Sequence, residues 1–186
     1  MKKQFVLLFC IFCSIASIQT LEARAEPLSK RLPDSLGFVV QVGDTAPDFS
    51  IQLDNGTVFK LSAHRGSLVM LQFTASWCGV CREEMPFIES DIWQKHKDSG
   101  LVLIGLDRDE PLDKLKQLRQ HTKITYPLGL DTNADVFSLY ADKKSGVTRN
   151  VLVNEKGLII QMTRLYNPSE FELLKKRIDN ILDKKQ

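Results

Sequence analysis

The chain has 186 residues, 43% of them hydrophobic and 26% charged, with 25 Lys and Arg against 23 Asp and Glu. That is enough for one globular domain with a real core plus a short extension. The near-balance of charge, without a basic block, gives no electrostatic footprint for nucleic acid. The closing KKRIDNILDKKQ is basic, but its mixed charges at helical spacing read as a solvated helix face.

At the start, Lys2 and Lys3 precede the 14-residue apolar run FVLLFCIFCSIASI, and Ala23-Arg24-Ala25 follows as a small-x-small cleavage pattern. Residues 1–25 therefore read as a secretory signal peptide. The run is shorter than the roughly 18 to 20 apolar residues needed to cross hydrocarbon, so the membrane enters only through this segment if it is left uncleaved. The expected location is outside the cytoplasm, in the periplasm. Cleavage would remove Cys10 and Cys13 with three basic residues and one acidic, leaving Cys78 and Cys81 and 22 charges of each sign. Residues 26–42, with Pro27, Pro33 and no periodicity, read as a linker, and the domain is expected to span 43–186.

FSIQLDNGTVFKL alternates around Asn55-Gly56, a dipeptide suited to tight turns, which predicts a β-hairpin over 49–61. The apolar runs LVMLQFT (68–74) and LVLIGLD (101–107) predict strands covered on both faces. Between them, Cys81, Met85, Ile88, Ile92 and Trp93 recur at helical spacing over 79–97, with Pro86 expected to kink the helix. Residues 112–121 and 168–183 predict further helices, and NVLVNEKGLIIQMT a second hairpin turning near Lys156-Gly157. Strands alternating with helices imply a single α/β domain, a mixed sheet sandwiched by helices.

In FTASWCGVCREEMP the strand, loop and helix start put Cys78 at a helix N-terminus and Cys81 one turn inside. Unpaired amide hydrogens and the positive dipole end stabilise a thiolate there, lowering a cysteine pKa from about 8.5 into roughly the 3.5 to 7.5 range. Cys78 is the candidate nucleophile for a partner's disulfide, and Cys81 the thiol that resolves the mixed disulfide. Glu84 could accept a proton from Cys81 if partly buried, or be an ordinary surface residue; Glu83 reads as the solvent-facing one. Trp77 suits the apolar lip of a protein-binding surface. Zinc would need four ligands, and His64, His96 and His121 are scattered, so no metal is expected. Inert core thiols or a static disulfide are the plainer alternatives.

VGDTAPDF, SWCGVCREEMP and the hairpin after SGVTRN together resemble the thioredoxin-fold thiol:disulfide oxidoreductases of the TlpA type, over about residues 42–184. VGDTAPDF by itself is also in the style of the peroxiredoxins of the AhpC/TSA type. The resemblance implies a thioredoxin-like α/β fold with an added N-terminal hairpin and an exported enzyme, without cofactor, acting on disulfides or thiols of client proteins. A second redox protein would restore the pair. In that family the cysteines matching Cys78 and Cys81 are catalytic, and an acid matching Glu84 is common.

Three positions depart from the pattern. Val80 stands where proline is common, and because the intervening pair tunes redox potential, Gly79 and Val80 leave poise and direction open. Thr148 stands where a cis-proline usually faces the cysteines. The expectation is a cis Val147–Thr148 bond, offering a partner chain a backbone edge at Val147 and Thr148, with the hydroxyl near a sulfur. Gln72 replaces the buried aspartate of thioredoxin itself. Rival functions are a peroxiredoxin-like thiol peroxidase, for which Thr74 would have to serve the sulfur, and a non-catalytic binding module.

Overall fold

The computed structural model describes residues 34–185. The expected signal peptide and residues 26–33 of the expected linker lie outside these residues. A two-stranded antiparallel sheet, β1 (Ser50–Gln52) and β2 (Val58–Lys60), forms the predicted hairpin at the N-terminal side, pairing Ile51 with Phe59. Gly56 within its turn has φ 86°, a backbone state that glycine adopts without a Cβ clash.

The main sheet has the order β5-β4-β3-β6-β7. Its strands are β3 (Leu68–Thr74), β4 (Leu101–Arg108), β5 (Leu128–Asp131), β6 (Arg149–Val153) and β7 (Ile159–Arg164). β3–β4 and β4–β5 are parallel, β3–β6 and β6–β7 antiparallel. This is a thioredoxin-like mixed sheet. The apolar runs of β3 and β4 are explained by their central places, where both faces are covered.

The side-chain alternation of β3 divides the core in two. Leu68 and Met70 pack with Met85, Ile88 and Ile92, with α3 (Leu112–Thr122) and with α5 (Pro168–Leu182). Val69, Leu71 and Phe73 pack on the opposite face with Phe49, Ile51 and Phe59 of the hairpin region and with α4 (Asp135–Tyr140). α5 is capped by Asn167, whose side chain accepts from the amides of Ser169 and Glu170, with Pro168 opening the helix.

Between β3 and β4 runs α1 (Gly79–Phe87), a π-helical stretch Ile88–Trp93, and a last turn α2 (Gln94–His96). The widened turn begins two residues after Pro86, which lies inside α1 and has no N–H to give the helix ladder.

Two readings change. Residues 34–42 are not a free linker: Phe38 and Val40 are buried in the core, and Phe38 bridges to Ala141. Apolar side chains with no regular spacing can still be gripped by a preformed surface. The cis form expected at Val147–Thr148 is not found either, since no cis peptide occurs among the described residues. A non-proline residue gains nothing locally to offset the roughly 3 to 4 kcal/mol cost of the cis amide.

Candidate active site

Strand β3 ends at Thr74, and four residues later Cys78 caps α1 in an extended conformation (φ −85°, ψ 106°). Its sulfur accepts a hydrogen bond from the Cys81 amide at 3.1 Å, the orphan donor of the first helical turn. Cys78 and Cys81 are joined in a disulfide, with Cα atoms 5.3 Å apart. Cys78 is 8% exposed and Cys81 0%, so an incoming group meets the first sulfur and not the second.

Thr148, in the loop before β6, turns its hydroxyl to both sulfurs, 3.2 Å from Cys78 Sγ and 3.3 Å from Cys81 Sγ. Its carbonyl accepts from the Leu165 amide and from Arg164 Nη1. Neighbouring Val147 is buried as a whole residue, and its amide and carbonyl make no hydrogen bond among the described residues.

Glu84 lies one turn beyond Cys81 on the inner side of α1, 2% exposed, while Glu83 faces solvent. Its Oε1 accepts from Asn150 Nδ2 at 2.7 Å, and Oε2 has no partner among the described residues. Burial pushes its pKa up from 4.5 to about 7, against the opposing pull of the Asn150 and Gln72 side chains. These polar groups form a row across the sheet. Tyr126 donates to Gln72 Oε1 at 2.6 Å, Gln72 pairs in register with Asn150, and Asn150 also donates to Thr163 Oγ1.

Around the disulfide the surface is apolar. Trp77 is 57% exposed, and Leu165, held by its bond to Thr148 and with φ 65°, is also exposed. Phe87 stacks on Tyr166 with ring centroids 5.5 Å apart. Gly79 is exposed, with open space where a Cβ would sit, and Val80 is half-buried against the core. Thr74 gives its hydroxyl to Met85 Sδ at 3.4 Å, inside the core.

The structure thus brings Trp77, Cys78, Gly79, Val80, Cys81, Glu84, Val147 and Thr148 to one end of the sheet. Sequence reasoning missed Asn150, although an amide directly before the apolar run VLV, within a strand, was a signal for a buried polar partner. It also missed Asp107, Ser76 and Glu110. Glu110 Oε1 and Oε2 each lie 2.5 Å from Ser76, on its hydroxyl and its amide.

Fold and site define a class: thioredoxin-like thiol:disulfide oxidoreductases. The model of the Redoxin family matches residues 41–182, and the chain belongs to that family. It is 34% identical over 107 residues to the thiol-disulfide oxidoreductase ResA of Oceanobacillus iheyensis, a match covering 55% of each chain. The match thus spans about half the length of that relative. Among solved structures, it resembles the solution structure of a candidate protein disulfide isomerase from Bacteroides thetaiotaomicron, with 56% identity and TM-score 0.78 over 81% of this chain and 95% of that one. A candidate thiol:disulfide interchange protein DsbE from Chlorobium tepidum matches at 25% identity and TM-score 0.66, over 77% and 99%.

Proposed function

We propose that this chain is an exported thiol:disulfide oxidoreductase that reduces disulfides of client proteins through Cys78 and Cys81. The carrying observation is the asymmetric pair: a helix-capping, reachable Cys78 sulfur beside a fully buried Cys81, with the Thr148 hydroxyl on both.

In the reduced protein the Cys78 thiolate attacks one sulfur of a client disulfide, and the other client sulfur leaves as a thiolate. Cys81 then loses its proton and displaces the client from Cys78, leaving the client dithiol and the Cys78–Cys81 disulfide. Two electrons pass from protein to client, and a second dithiol protein returns them. Glu84, with a pKa near neutrality in the dry interior, is matched to take the Cys81 proton. The α1 N-terminus and the Thr148 hydroxyl stabilise the Cys78 anion.

Trp77 and Leu165 give the client an apolar rim beside Thr148 and the buried, unbonded backbone of Val147, where a client strand would dock. Gly79 and Val80 tune the potential of the pair. Thr74, engaged with Met85, is unavailable to the sulfur in the way a peroxidase would need. The basic start and apolar run of residues 2–18 support export to the periplasm. Among the described residues no helix is long and apolar enough to cross a membrane.

The test is a Cys81→Ala chain expressed in its native host. It should accumulate client proteins as mixed disulfides on Cys78, released by reductant and identified by mass spectrometry. Absence of any adduct, with no reduction of a model protein disulfide by the unaltered chain, overturns the reading.

A further inference from the structure

Strand β4 is apolar until it reaches Asp107, the strand's penultimate residue, which lies opposite Thr74 in the parallel β3–β4 register. Asp107 is 0% exposed, and neither of its carboxyl oxygens has a hydrogen-bond partner among the described residues. A buried carboxylate with no donor is costly, and a carboxyl in this position is satisfied by carrying a proton and donating it. The acceptor at hand is Glu110, 7% exposed, whose carboxyl faces Asp107 from the loop between β4 and α3.

Glu110 in turn grips the turn that carries the cysteines. Its two oxygens take the amide and the hydroxyl of Ser76, both at 2.5 Å, while Arg82 of α1 donates to the Ser76 carbonyl. Every polar atom of Ser76 is therefore held by a charged side chain. The next two residues are Trp77 and Cys78.

We propose that Asp107 and Glu110 share one proton and act together as positioning residues that clamp Ser76, and through it the turn bearing Trp77 and Cys78, and that loss of the shared proton releases the clamp. This rests on Cys78 being the reacting sulfur. Once Asp107 is ionised, two carboxylates face each other in a dry site, and Glu110 is repelled from the position in which it reaches Ser76.

Among the described residues, the surroundings give Asp107 no cation to offset that repulsion. Asp109 and Glu110 face it from the following loop and Asp131 from β5, where Asp131 caps α4 by accepting from the amides of Val136 and Phe137. Arg108 is turned to Asp109 and over the Phe137 ring, and Arg82 is taken by Ser76. From α3, His121 and Gln117 line the cavity beside Ser76 and Arg82. Burial and these acidic neighbours push the Asp107 pKa up from 3.8 to about 8, so release falls on the alkaline side of neutrality.

The full chain is compared with Asp107→Asn, in which an amide N–H replaces the shared proton and cannot be lost, and with Glu110→Ala. Two readouts are followed across the pH range around 8: the Ser76 amide resonance by NMR, and the rate of exchange with a protein disulfide per unit of Cys78 thiolate. The unaltered chain should show the Ser76 resonance titrating near 8. Its rate should fall about tenfold relative to its own neutral value, the worth of one lost hydrogen bond.

Asp107→Asn should show a flat Ser76 resonance and no alkaline fall, and Glu110→Ala the released resonance throughout. A Ser76 resonance that stays fixed in the unaltered chain, or that titrates identically in Asp107→Asn, overturns the clamp even if Glu110→Ala fails to fold. A titrating Ser76 in a chain with no exchange at any pH supports the clamp and overturns the redox reading above it.

Discussion

The Thr148 hydroxyl lies 3.2 Å from the sulfur of Cys78 and 3.3 Å from that of Cys81, so one side chain touches both halves of the disulfide. A hydroxyl can donate to only one sulfur at a time. After reduction it should favour whichever sulfur is ionised.

Thr148→Val keeps the shape of the side chain and removes that donor. A hydrogen bond to a charged group contributes about 1.5 to 3 kcal/mol, so the Cys78 pKa of the reduced protein should rise by roughly one to two units. Thiolate absorbance against pH measures it. An unchanged Cys78 titration would mean that the hydroxyl serves packing alone.

Glu84 is a raised carboxyl, protonated in the folded protein up to about 7 and ionised in the unfolded chain above about 4.5. Between those values the folded state binds more protons, so stability falls as pH rises from about 4.5 to about 7 and then levels off. The loss is on the order of 3 kcal/mol, at about 1.4 kcal/mol per pKa unit. Glu84→Gln should lack this part of the slope in urea titrations, be the more stable protein at neutral pH, and resolve the mixed disulfide more slowly. Equal slopes in the two proteins would show that the carboxyl is not protonated by burial.

Trp77 exposes more than half its surface beside the disulfide, and few contacts hold it that folding would miss. Trp77→Ala should leave the melting temperature nearly unchanged, while raising KM for a protein disulfide several-fold. Cleavage of a small aromatic disulfide should be unaffected. A matched loss on both substrates would move Trp77 from binding to the organisation of the cysteine turn.

Arg149 is fully buried, donating to the carbonyls of Leu36 and Gly146 and to Ser145 Oγ, with its guanidinium 4.7 Å from the Phe38 ring centroid. Arg149→Met fills the volume but strands those three acceptors at about 1 to 3 kcal/mol each, so a loss of at least about 3 kcal/mol is expected in urea unfolding. Amide exchange at Val39, bonded to the Tyr140 carbonyl, should accelerate more than exchange in β3. Uniform acceleration would argue that residues 34–40 unfold only with the whole domain.

Much of this was legible in the chain. The central strands β3 and β4 announce themselves because burial on both faces demands continuous apolar sequence, and both hairpins follow from turn dipeptides. The cysteine turn is legible because strand, Trp-Cys-x-x-Cys and helix are contiguous. β5 and α4 were missed, having only four and six residues, too few to establish a period. Residues 34–42 read as a linker because Phe38 and Val40 are held by contacts to residues about 100 positions away. Separations of 34 and 66 residues likewise hide Ser76 from Glu110 and Glu84 from Asn150. Spacing along the chain carries no information about which polar groups a sheet brings together.

Strand β3 lies third among five, hydrogen-bonded along both edges, and it delivers the cysteine turn. Freeing that turn from its support means tearing two ladders and opening both halves of the core. Proteases in the surroundings would therefore nick the periphery, at the hairpin or the last helix, well before they reached the sulfurs. A clipped molecule could retain its chemistry, and its working lifetime would be set by the rarest opening of the sheet and not by the commonest fraying.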